Sequence, residues 1–227
     1  MQKTTTSEIR DITTNTLAGM SDHDRDEMAI PSYLHGNPLI RWLMWRRYEV
    51  IAHYLDDVDG NTALEFGCGL GLFLPELNAR FDRVFACDLF PDYARALSER
   101  RKLNTRFVPN VGAVPDASLD VLIAADVLEH IRDLPVYLTE FALKLKPGGR
   151  LIISGPTENH LYRLGRTIAG FGGKGDYHHT NIDRLIADIT QQGFIPLRTR
   201  RLPFRCAPAL FKIAEFANAT RSGLKNR

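Results

Sequence analysis

The sequence predicts an α/β fold: a doubly wound, mostly parallel sheet with helices on both faces. Three observations lead there. Short apolar runs of strand character alternate with helical runs from Thr62 to Ser154, and such alternation implies parallel pairing through helical crossovers. The first strand runs straight into a glycine-rich turn, Gly67-Cys68-Gly69-Leu70-Gly71. The chain has 227 residues, 44% hydrophobic and 25% charged, enough for one such domain with additions.

Residues 1–36 are polar and carry the cluster Asp22-His23-Asp24-Arg25-Asp26-Glu27, which reads as a loosely ordered lead-in. The remainder, 37–227, reads as a single domain. Pro38 opens a helix to about Leu55, with Met44, Tyr48, Ile51 and Leu55 on one face. Thr62–Phe66 is a strand, Leu72–Arg80 a helix and Arg83–Cys87 a strand. Pro91 starts the charged helix Asp92–Arg101. Arg106–Val108 and Leu119–Ala125 are strands, and Leu134–Leu145 is a helix stopped by Pro147-Gly148-Gly149. Arg150–Ser154 is a further strand. Residues 156–180 form a long Gly- and aromatic-rich connection, the kind that serves as a lid. A helix at Asp183–Gln192 and a strand at Phe194–Leu202 follow. Ala207–Ala219 reads as an amphipathic helix, which leaves one strand where an antiparallel pair is expected. The ligand of such a sheet lies beyond the carboxyl ends of the strands, flanked by the first and fourth.

The turn after the first strand reads Glu65-Phe66-Gly67-Cys68-Gly69-Leu70-Gly71. Glycines there permit a tight turn and close approach of backbone to ligand. A dinucleotide fingerprint would need a third glycine at position 72, which is Leu72. The pattern is acid-x-Gly-x-Gly-x-Gly instead. Asp88 ends the second strand, where a carboxylate can accept bonds from both ribose hydroxyls. Phe107-Val108-Pro109-Asn110-Val111-Gly112, Asp120–His130 and Leu145-Lys146-Pro147-Gly148-Gly149 follow in order.

Together these segments, over roughly residues 60–155, resemble the class I S-adenosylmethionine-dependent methyltransferases, whose fold is Rossmann-like. The resemblance implies S-adenosyl-L-methionine as cofactor and S-adenosyl-L-homocysteine as product. It implies that Gly67, Cys68, Gly69 and Gly71 hold the methionine portion and that Glu65 faces its ammonium. Asp88 would take the ribose and Leu89 would pack on adenine. Asn110, beside Val111, stands where the family usually has an Asp against the adenine amino group. Ala125 and Asp126 would border the methionine end. Leu34-His35-Gly36-Asn37-Pro38-Leu39 is loosely similar to the approach segment of ubiquinone-biosynthesis O-methyltransferases, in which a nearby Arg meets the cofactor carboxylate. Arg41 and Arg46 are the candidates here.

His178 and His179, just before the helix at 183, are candidate bases for a hydroxyl acceptor, since imidazole titrates near neutrality. Asp176 beside them is not enough to argue a metal. The expected activity is O-methylation of a small-molecule or lipid-linked acceptor, a phenol or quinol precursor or a glycolipid sugar. The stretch His160–Phe171 and the run Leu210–Phe216 mix apolar side chains with charge, so peripheral membrane contact is a second expectation. Arg198, Arg200, Arg201 and Arg205 keep an RNA methyltransferase as the alternative, although net charge +2 and the lack of a recognised RNA-binding module argue against nucleic acid. A non-catalytic cofactor-binding protein is the other alternative. No apolar run is long enough to span a bilayer, and the polar, Thr-rich start resembles no signal peptide. Three cysteines, Cys68, Cys87 and Cys206, form no CxxC pair. The default location is the cytoplasm.

Overall fold

The computed structural model describes residues 1–16, 30–168, 180–204 and 208–219, without the side chains at 31, 164–166 and 168. Five parallel strands form the sheet's main body: β1 Thr62–Phe66, β2 Arg83–Cys87, β3 Thr105–Phe107, β4 Leu119–Ala125 and β5 Leu145–Pro156. Two antiparallel strands, β6 Phe194–Leu202 and β7 Phe211–Asn218, complete it in the order β3-β2-β1-β4-β5-β7-β6. The order reverses between β1 and β4, so the carboxyl ends of those two strands open the ligand crevice.

Crossover helices cover both faces, because β1 and β4 are apolar on both. Along β4, Leu122 and Ala124 face α6 (Leu134–Lys144) and α8 (Ile182–Gln191), while Val121 and Ile123 face α3 (Pro38–Tyr54) and α4 (Leu74–Asn78). Each fully buried Leu or Ile contributes about 1.5–3 kcal/mol. The helix α5 spans Asp92–Arg101 and closes on Lys102 in the left-handed conformation. Asn37 caps α3 by accepting from Leu39 N–H, with Pro38 in the first turn.

Two expectations need correction. The lead-in is not loose throughout: Thr6–Asn15 is a helix, α1, with a capping box between Thr5 and Glu8. Its Ile9 and Ile12 are buried with Ile30 and Tyr33 of α2 (Ile30–Tyr33) against Leu70, Leu72, Tyr93 and Leu97. Arg101 hydrogen-bonds Glu8 at 2.8 Å and holds its carboxyl down to about 2, against the opposing effect of burial. The segment therefore straps the glycine turn to α5. The second correction concerns 207–219. Residues 211–218 are not a helix but β7, and the sheet does end in an antiparallel pair. β7 lies between β5 and β6, so nearly all its side chains are buried. Its one acid, Glu215, is 3% exposed and pairs with Arg198 opposite it at 2.5 Å. No membrane-facing helix exists there.

Of the arginines offered for RNA, one is held within the fold. Arg198 also bonds Asp57 at 2.6 Å and lies 3.9 Å from the Tyr54 ring centroid, so it fastens β6 to α3. Arg205 lies outside the described residues. Within the long connection, His160–Ile168 is a helix, α7, begun by the Asn159 side chain accepting from Tyr162 N–H. Residues 169–179 lie outside the described residues. No helix among the described residues is long and apolar enough to cross a membrane.

Candidate active site

The glycine turn is tied to the end of β2: Gly67 and Cys68 N–H both donate to Cys87 O, at 2.9 and 3.2 Å. Gly67, Gly69 and Gly71 all have positive φ, 69°, 48° and 70°. A Cβ on Gly67 would lie 2.5 Å from the Val127 side chain, so this glycine lets β1 and β4 open side by side. A Cβ on Gly69 would meet nothing within 4 Å. That face of the turn is open, at the carboxyl end of β1.

Asp88 closes one side of the opening. Its Oδ2 accepts from Gly69 N–H at 2.7 Å and its Oδ1 from Phe90 N–H at 2.8 Å. The two bonds fix the carboxylate and leave lone pairs on both oxygens. Leu89 beside it is 91% exposed, an apolar side chain held in the open. Asn110 is also exposed, and Val111 behind it is buried. Glu65, at the end of β1, is buried; one oxygen takes the Phe73 N–H and Oε2 has no partner among the described residues. Burial, with Asp88 nearby, pushes its carboxyl well above the usual range. Cys68 is buried too, and burial raises its thiol well above the ordinary value, so it is no ready nucleophile.

The far side of the crevice holds a charged cluster. Ala125 ends β4 and pairs with Ser154 of β5. Asp126 follows in the left-handed conformation, φ 53°, its N–H bonded to Ser154 O at 3.0 Å. An Asp tolerates that conformation better than most side chains. Its Oδ2 lies 2.5 Å from Arg47 of α3, a guanidinium 5% exposed. Burial opposes the charge on Arg47, but Asp126 and a hydrogen bond to Tyr33 outweigh it. The Phe211 ring lies 4.4 Å from the guanidinium, and Tyr162 of α7 packs edge-on against Phe211.

Arg47 is the residue the sequence reading missed. Arg41 is not in this cluster: its guanidinium is engaged by the carbonyls of His35 and Gly36 at the start of α3. Arg46 pairs with Glu49 at 2.7 Å. The signal for Arg47 was its place between Met44 and Ile51, inside the apolar face of α3, where a charge demands a partner. His178 and His179 lie outside the described residues, as do Asp176, Tyr177 and Phe171. Among the described residues, no three His, Cys, Asp or Glu groups converge as a metal site would need.

This architecture defines a class. The fold is that of S-adenosylmethionine-dependent methyltransferases, and residues 40–194 match the family described as "Methyltransferase domain". The chain belongs to that family. It is 30% identical over 122 residues to the tRNA U34 carboxymethyltransferase of Idiomarina loihiensis, an alignment covering 48% of this chain and 38% of that protein. It is 29% identical over 122 residues to a ubiquinone biosynthesis O-methyltransferase of Xanthomonas oryzae pv. oryzae, covering 51% and 48%. The chain thus spans about half or less of the length of these curated relatives. Among solved structures, the N-methyltransferase NodS of Bradyrhizobium japonicum, in complex with S-adenosyl-L-homocysteine, superposes with TM-score 0.64 at 20% identity. That match covers 86% of this chain and 96% of NodS. Magnesium protoporphyrin IX methyltransferase of Synechocystis gives 0.62 at 19%, covering 86% and 93%.

Proposed function

We propose that this chain transfers a methyl group from S-adenosylmethionine to a hydroxyl of a small-molecule or lipid-linked acceptor, such as a phenol or quinol precursor or a glycolipid sugar. The observation that carries the reading is the open face of Gly69 beside a fixed Asp88 carboxylate. The parts of the cofactor each meet a group suited to them. Asp88 would accept from the ribose hydroxyls, Leu89 and Val111 would cover the adenine, and Asn110 would accept from its amino group. Cys68, Gly69 and Gly71 would line the methionine portion, with Ala125 and Asp126 at its end. The bare Glu65 oxygen would face the ammonium, directly or through water. Arg47, with its Nε unpartnered, takes the carboxylate role first given to Arg41.

Bound S-adenosylmethionine supplies a methyl group activated by positive sulfur. The protein's share is alignment and exclusion of water. The strap of α1 and α2 packs on Leu70 and Leu72 of the turn, and α7 with Tyr162 and Phe211 would wall the acceptor side. A hydroxyl acceptor also needs a base, for which His178 and His179 are the candidates from sequence. The similarity to ubiquinone-biosynthesis O-methyltransferases supports the acceptor class.

The test is transfer of labelled methyl from S-adenosylmethionine into an extract of the source cells, split into lipid, aqueous small-molecule and macromolecular fractions. Label in the lipid or aqueous fraction is the expected result. Label in the macromolecular fraction alone would replace this reading with RNA or protein methylation, and no label in any fraction would favour a non-catalytic binder.

A further inference from the structure

Glu129 is used by neither the cofactor assignment nor the fold. It sits on the single turn Leu128–His130 that follows β4 and is 1% exposed. One oxygen lies beside Gly155 at the end of β5, 3.7 Å from where a Cβ on that glycine would stand. The other, Oε2, is buried with no hydrogen-bond partner among the described residues.

Its surroundings decide what can meet that oxygen. The charged groups acting on it are Asp126 at the end of β4, Arg47 on α3 and Glu158 just beyond β5. From α8 the nearby side chain at Gly155 is Ile182, which is apolar. Arg47 is already engaged by Asp126 and Tyr33. Among the described residues no donor reaches Oε2, and that bare oxygen calls for one. Burial first, and then Asp126, push the carboxyl well above the usual carboxylate range. The position is right as well. Glu129 follows the carboxyl end of β4, beside Gly155 at the end of β5 and near Asp126 and Arg47.

We propose that Glu129 is the catalytic base of this site, its Oε2 taking the proton of the acceptor hydroxyl. The inference rests on the methyl-transfer reading above. The acceptor oxygen bonds to the methyl carbon, the methyl–sulfur bond breaks with its electron pair left on sulfur, and the hydroxyl proton passes to Glu129, which changes from carboxylate to acid. The acceptor atom must then carry a removable proton, which selects hydroxyl-bearing molecules over tertiary amines. His178 and His179 are the competing bases.

Glu129→Gln keeps the shape and removes the base; Glu129→Asp keeps the base and shortens its reach. Both are to be compared with wild type and with the His178→Ala/His179→Ala double variant in the labelled-methyl assay on the cell-extract fraction that wild type labels. S-adenosylhomocysteine binding by calorimetry reports whether each variant is folded. Glu129→Gln should keep that affinity within about threefold yet lose at least about 100-fold in kcat, the lower range for a general base. Glu129→Asp should recover part of the loss. The rise of wild-type kcat with pH, one proton steep, should vanish in Glu129→Gln. Turnover of Glu129→Gln within threefold of wild type, or a loss confined to KM, overturns the proposal, as does a pH limb that survives in Glu129→Gln and vanishes in the histidine variant. A wild type that labels no fraction defeats the methyl-transfer reading itself, and the proposal with it.

Discussion

Arg47→Met is expected to destabilise the protein by about 3 kcal/mol, because it strands Asp126 without its cation. Breaking a buried pair from one side typically costs about 3–5 kcal/mol. The Asp126 side chain is 22% exposed, which places the effect at the lower end. The methionine retains volume against Phe211 but loses the stacked charge and the bond to Tyr33. For a chain of this size the melting temperature should fall by roughly 6–12 °C. Adding Asp126→Asn should return part of the loss, since it removes the stranded charge. Urea unfolding of the two single variants and the double variant measures this. A loss below about 1 kcal/mol in Arg47→Met would mean that the pair is solvated and does not organise the acceptor side.

Gly69→Val is expected to lower affinity for S-adenosylhomocysteine at least about 100-fold while leaving the fold standing. The new side chain meets no protein atom near its Cβ, so it projects into the space beside Asp88. The cost to the fold is that of a β-branched residue at φ 48°, about 1–3 kcal/mol. Gly67→Val provides the contrast. There the Cβ would run into Val127, so unfolding rather than weak binding should dominate. Calorimetry beside a thermal melt separates the two. Equal failure of both variants by melting would show that Gly69 serves the turn and not the ligand.

Much of this was legible because the decisive signals are local. β1, β2, β4 and α5 have the limits read from sequence, since apolar runs bounded by Gly, Pro and charge mark them out. The crevice followed from the βα alternation and the acid-x-Gly-x-Gly-x-Gly turn. Where reading failed, a distant partner had changed the meaning of a residue. Glu215 and Lys212 gave Leu210–Phe216 the look of an amphipathic helix. Glu215 is in fact buried against Arg198, and Lys212 pairs with Asp183 of α8. Short apolar runs with one charge fit either period, and only pairing on both sides decides. The helix α1 was missed although Thr5 and Glu8 spell its capping box, because the polar composition around them outweighed four residues of local signal. Arg47 was passed over for Arg41 and Arg46, the arginines considered after Asn37-Pro38-Leu39. Burial chose between them, and burial is set by Asp126 and Phe211, both far along the chain.

The most direct test of the central claim is a calorimetric titration of wild type and Asp88→Ala with S-adenosylhomocysteine. Asp88 is held by two backbone N–H groups and, among the described residues, has no side-chain partner that its loss would release. Saturable one-to-one binding by wild type, weakened at least about 30-fold in Asp88→Ala, a loss of about 2 kcal/mol, is the predicted result. Absence of binding by wild type, or equal binding by the two, would contradict the assignment of this crevice as the cofactor site.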